Sequence, residues 1–181
     1  MAANIIDIRS YSPRSSDLFL FDNNIWMYLF CPLGNYNQKR QEIYSSFLQS
    51  VKVANSTVFI NSMVLSEFAN SYLRMDFGQW KNEFGFPDAD FKKSFVGTDR
   101  YMDTVEEIKI NIQKILKFCE RTTDSFNAVD MSNIFGHFVN IDFNDSYYLE
   151  LSRLNNWKMV TDDRGFMKVD NHDIEIVTFL K

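Results

Sequence analysis

Apolar positions in this chain fall into short hydrophobic runs separated by longer amphipathic stretches. "LFLF" (18–21), inside "DLFLFD", is almost wholly hydrophobic, as expected of a central parallel strand covered on both faces. "STVFIN" (56–61), "KMVTDD" (158–163) and "IEIVTFL" (174–180) read as further strands, and "GHFVNIDF" (136–143) as a short one. Between them "QKRQEIYSSFLQSV" (38–51) and "SMVLSEFANSYLRM" (62–75) have helical spacing. In the second, Ser62 is a candidate cap, and Val64, Leu65, Phe68, Ala69, Tyr72 and Leu73 form an apolar stripe. Val105, Ile108, Ile112, Ile115 and Cys119 mark a strong helix whose stripe reads as core, and "NDSYYLELSRLNNW" (144–157) marks another, ending at an Asn pair. Residues 76–101 have no readable period and contain three of the six glycines. Strands alternating with helices predict a parallel α/β sheet in one domain spanning 1–181, with an enlarged segment at about 76–130.

Composition narrows the function classes. At 181 residues with 45% hydrophobic and 16% aromatic content, the chain can bury a core and is no disordered tail. No run approaches a membrane span, and the first ten residues, with Asp7 and Arg9, do not resemble a secretion signal. Cys31 and Cys119 lie far apart in apolar surroundings, which reads as core residues of a reducing cytoplasm. A net charge of −5 disfavours nucleic-acid binding unless a metal or a local basic patch reverses the field.

The acids carry the candidate chemistry. Asp22 ends the first strand, Asp162 and Asp163 end a later one, Glu67 lies in the first turns of a helix, and Asp145 opens another. In a doubly wound sheet these positions share one edge, and converging carboxylates without bases are a usual way to hold Mg²⁺ or Mn²⁺. Each acid also has an ordinary reading as a cap, a turn residue or a solvated helix face. Four such readings at one edge are less economical than one site. His137 and His172 read as surface or structural residues. Phe77, Trp80, Phe84, Phe86, Phe91 and Phe95 are interleaved with Lys81, Lys92, Lys93 and Arg100. Such a stretch can stack on unpaired bases, although packing under a helical hairpin or at a dimer face is the better supported reading.

The order and wording of these segments resemble the PIN-domain family of metal-dependent ribonucleases. "FLFDNNIW" resembles its opening strand ending in Asp-x-Asn (Asp22, Asn24), and "INSMVLSEFANSYLR" its Glu-bearing helix (Glu67). "NDSYYLELSRLNNWKMVTDDRGF" resembles its last two motifs (Asp145, then Val160, Thr161, Asp163 and Phe166). The resemblance implies a three-layer α/β/α fold with a mainly parallel sheet of order 3-2-1-4-5 and an extra helical segment in the middle. It also implies cleavage of single-stranded RNA by metal-activated water, with Asp22, Glu67, Asp145 and Asp163 as catalytic metal ligands. Asn24 and Thr161 would orient them, Asp142 would be a competitor for the ligand role of Asp145, and Asp162 would be a supporting residue. Family members are often toxins paired with an antitoxin, so the expected partners are an RNA substrate, an antitoxin protein or a second copy. The alternative is a PIN-like module that binds RNA or protein without cutting. A phosphoacceptor aspartate is disfavoured, because Asn24 stands where Asp-x-Asp chemistry needs its second acid.

Overall fold

The computed structural model describes residues 4–169 and 173–179. Six parallel strands form one sheet: β1 (Asn4–Asp7), β2 (Leu18–Phe21), β3 (Thr57–Ile60), β4 (Glu120–Arg121), β5 (Lys158–Val160) and β6 (Glu175–Thr178). Their spatial order is β1-β6-β5-β2-β3-β4. Read from β4, the last five strands follow the expected 3-2-1-4-5 order, and β1 is added beyond β6. The central strand is β2: Phe19, Leu20 and Phe21 are fully buried, as a strand covered on both faces requires.

Helices α1 (Asn23–Phe30), α2 (Gln38–Val53), α3 (Ser62–Phe84), α4 (Asp99–Leu116), α5 (Met131–Phe138) and α6 (Phe143–Asn155) cover the sheet. The Asn61 side chain caps α3 by accepting from Val64 N, so the cap falls one residue before Ser62. Asn156, with φ of 54°, ends α6 in the left-handed conformation that Asn tolerates.

Three expectations are corrected. Residues 136–143 are not a strand: they are the end of α5, a turn and the start of α6, and the third strand of the order is the two-residue, exposed β4. Helix α3 continues nine residues past Met75, through "DFG". The fully buried Asp76 there is held by Arg100 (Nε to Oδ1, 2.8 Å) and by the Thr104 hydroxyl (2.6 Å to Oδ2), which remove the cost of burying its charge. The unassigned stretch folds back as a π-helical turn (Phe91–Phe95) leading into α4.

Phe77, Trp80 and Phe95 are buried in a small second core at the tip of this α3–α4 hairpin, whereas Phe84 and Phe86 are exposed. Most of the aromatics therefore pack under the hairpin. On α4, Ile108 and Ile115 are buried and Val105 and Ile112 partly so, consistent with a core stripe; the helix ends at Leu116, so the partly buried Cys119 lies beyond it, just before β4. No helix among the described residues is long and apolar enough to cross a membrane. His172 lies outside the described residues, and His137 sits half-buried in α5.

Candidate active site

All strands run the same way, so the ends of β2, β3 and β5 and the starts of α1, α3 and α6 lie along one edge. Asp22 directly follows β2. Its backbone N–H bonds to Val160 O across to β5 (2.9 Å), and its carboxylate is nearly inaccessible. Two donors fix Asp22 Oδ2: Asn24 Nδ2 at 2.6 Å and Thr161 Oγ1 at 2.7 Å. Asn24 Nδ2 also reaches Thr161 Oγ1 (3.1 Å), closing a triangle of Asp22, Asn24 and Thr161.

Glu67, in the second turn of α3, is held from three directions. It accepts from Asn23 Nδ2 (3.3 Å), Asn144 Nδ2 (3.2 Å) and Tyr148 OH (2.9 Å), the last two on α6. Burial and the Glu67 charge raise the Tyr148 phenol, which keeps it a donor.

At the start of α6 the two candidate acids divide their duties. Asp142 is the cap, its Oδ1 accepting from Asp145 N (2.9 Å). Asp145 is half-buried, and among the described residues no side-chain or backbone donor reaches its carboxylate. Its pKa rises to about 8, first from burial and then from the charges of Asp22, Asp142, Asp163 and Glu67. Asp22 rises to about 7, chiefly from burial. The Thr161 hydrogen bond opposes this rise, and the Glu67 and Asp163 charges add to it. Four carboxylates from four separate segments thus sense one another's charge.

Asp162 and Asp163 point to different surroundings, as alternation along an extended strand requires. Asp162 is almost buried and saturated: it pairs with Arg40 and accepts from Tyr28 OH (2.8 Å) and Tyr44 OH (3.0 Å). Asp163 is exposed. Its N–H donates to Thr161 Oγ1 (3.0 Å), and its Oδ1 caps the following 3₁₀ turn through Gly165 N (2.7 Å).

The donor set of hard carboxylate oxygens, two of them on acids raised by burial and by neighbouring negative charge, suits a divalent cation in charge and ligand type. In position it is not yet assembled: among the described residues no group of three or more His, Cys, Asp or Glu stands placed to hold a metal ion.

The motif reading overlooked Asn23, Asn144, Tyr148, Arg40, Tyr28 and Tyr44. Asn23 and Asn144 each stand beside a singled-out acid in sequence or at a helix start, a usable signal. Arg40 and Tyr44 on α2 gave none, since only the fold brings them to Asp162.

The PIN-domain family model matches residues 19–172. The chain belongs to the PIN-domain family. PIN domains are in general nucleases and generally use divalent metals. The fold is similar to that in the crystal structure of VapBC2 from Rickettsia felis bound to a DNA fragment from their promoter. The TM-score is 0.54 at 15% identity, covering 89% of this chain and 98% of the other. No curated protein matches the sequence.

Proposed function

We propose that this PIN-domain protein is a metal-dependent endoribonuclease that cuts single-stranded RNA. The observation that carries the reading is that Asp22 and Asp145 are raised to about 7 and about 8, first by burial and then by the charges of neighbouring acids that include Glu67 and Asp163. Those four residues would hold Mg²⁺ or Mn²⁺. When bound, such ions neutralise phosphate charge and make water a competent nucleophile at neutral pH.

The chain's own residues prepare the place. Thr161 and Asn24 fix the rotamer of Asp22 and leave its Oδ1 uncommitted to either of them. Asp163 is oriented by two backbone bonds, one donated to Thr161 and one accepted from Gly165. Asp145 keeps a proton at neutral pH while no cation is near, and binding one would release it. Asn23, Asn144 and Tyr148 hold Glu67 beside the other acids.

We also propose that the protein is the toxin of a toxin–antitoxin pair. Likeness in fold to VapBC2 supports this half of the reading. Apolar surfaces open to an antitoxin or a second copy include Phe135, Phe138 and Val139 near the end of α5 and Phe84 and Phe86 at the hairpin tip. A non-catalytic binding module is the second reading, favoured by the unassembled positions of the acids.

Incubation with single-stranded RNA separates the two. Cleavage in Mn²⁺ or Mg²⁺ should leave 5′-phosphate ends, stop in EDTA and fall by orders of magnitude in Glu67→Gln. Cleavage that persists in EDTA, or 2′,3′-cyclic phosphate ends, contradicts metal-dependent hydrolysis by these acids. No cleavage with any divalent ion favours the binding module.

A further inference from the structure

Beside Glu67 lies an open cleft of about 530 Å³ whose polar lining is Ser62, Ser66, Asn70, Ser71 and Asn144 in addition to Glu67 itself. Its volume falls in the range of small-ligand sites. Ser62, Ser66 and Asn70 repeat at four-residue spacing on α3, and Asn144 closes the cleft from α6. Among the described residues no Lys, Arg or His lines it, and Glu67 gives it a negative edge, so a phosphate group is poorly matched there. Neutral hydroxyls and amides, offering donors and acceptors together, instead match the edge of a nucleobase and ribose hydroxyls.

A second observation points the same way. Asn23 is 6% exposed, and its amide nitrogen donates to two residues of this lining, Glu67 Oε1 and Ser71 Oγ, each at 3.3 Å. Among the described residues its Oδ1 is buried with no hydrogen-bond partner. A buried acceptor left unmade is costly, so the polar network behind this wall of the cleft is incomplete as it stands. The internal bond across the cleft wall, Asn70 Nδ2 to Ser66 Oγ, is long at 3.4 Å, so both groups remain available to a ligand.

We propose that this cleft is a subsite for the uncharged base and ribose of the nucleotide adjoining the phosphate at the acids, and that Ser66 and Asn70 read that base. The proposal rests on the ribonuclease reading, since Glu67 belongs to both the cleft and the acid cluster and ties what fills one to what reacts at the other.

The test is the affinity of a fluorescent single-stranded RNA octamer, measured by anisotropy in Ca²⁺, together with the cut-site pattern on a random-sequence RNA in Mn²⁺. The wild type is compared with Ser66→Ala/Asn70→Ala, both exposed positions that the fold does not need. The double variant should bind about tenfold more weakly, the effect of losing two ordinary hydrogen bonds. It should also relax base preference at one position flanking the cut while keeping the wild-type melting temperature. Weakened binding by the double variant, where the wild type binds RNA but never cuts it, supports the subsite and removes the nuclease reading. Equal affinity and an unchanged cut pattern overturn the subsite, leave the nuclease reading standing, and assign the cleft to a protein segment. A wild type that neither binds nor cuts RNA overturns both.

Discussion

Asp162 and Asp163 are neighbours in sequence and opposites in surroundings. Around Asp162, α1 and α2 supply a guanidinium and two phenols, and its charge is fully answered by Arg40, Tyr28 and Tyr44. Around Asp22, Glu67, Asp145 and Asp163, the chain supplies neutral donors and more carboxylates, and Asp145 receives no donor at all among the described residues. The first arrangement is finished; the second lacks a positive charge. A buried acid whose cation is built in belongs to the scaffold, whereas a group of acids that repel one another is stable only with a visitor or with protons. The two regions touch through polar bonds, Asp162 N to Asn24 Oδ1 (3.3 Å) and Tyr44 OH to Thr161 O (3.0 Å), so the finished side also orients the residues that hold Asp22.

The largest effect that would break this contrast is on stability. Arg40→Ala leaves Asp162 with two phenols and no cation, and should cost about 3 kcal/mol in denaturant unfolding. Asp22→Asn, measured in the same way without metal, should be neutral or stabilising because it removes repulsion from a buried acid. Equal losses in the two variants would erase the distinction between the regions.

A smaller effect falls on activity. Asn24→Ala removes a donor to Asp22 and the acceptor for Asp162 N, and should lower the rate of RNA cleavage roughly 10–100-fold, as loss of residues that orient metal ligands does. Wild-type turnover in this variant would show that Asp22 needs no such support.

The smallest effect is on pH dependence. Asp22 and Asp145 have folded values of about 7 and about 8, raised from 3.8. Raised carboxyls hold protons that the unfolded chain has released, so their contribution is fully present below about pH 4 and is lost as pH rises through about 7 to 8. The metal-free protein should therefore melt higher near pH 6 than near pH 9, and Asp145→Asn should flatten that slope. A melting temperature that rises over this interval would contradict the assignment.

Much of this was legible in the chain, for physical reasons that also explain the failures. β2, β3, β5 and β6 are buried and therefore apolar, so their runs stand out. β4 is two exposed residues, Glu120 and Arg121, whose pairing with β3 is set by the fold, not by side chains. "GHFVNIDF" imitated a strand because the exposed Phe138 and Val139 sit at the end of a short helix, where surface aromatics break the helical pattern. "DFG" imitated a helix end because it opens the glycine-bearing stretch without a readable period, yet Asp76 there is buried beside Arg100 and Thr104, 24 and 28 residues on. At the candidate site the acids were readable because their chemistry is rare at strand ends. Their neutral partner Tyr148 was not, since Tyr is ordinary at such a helix position.

The central claim is that Asp22, Glu67, Asp145 and Asp163 await a cation and that Asp162 does not. It is tested most directly by thermal unfolding with and without Mn²⁺ in the wild type, Asp163→Asn and Asp162→Asn. At ~100 times its dissociation constant Mn²⁺ should stabilise the wild type by about 2.7 kcal/mol. Asp163→Asn should lose most of that gain, and Asp162→Asn, though less stable at the outset, should keep it. A wild type indifferent to Mn²⁺, or a gain that survives in Asp163→Asn and vanishes in Asp162→Asn, would contradict the account.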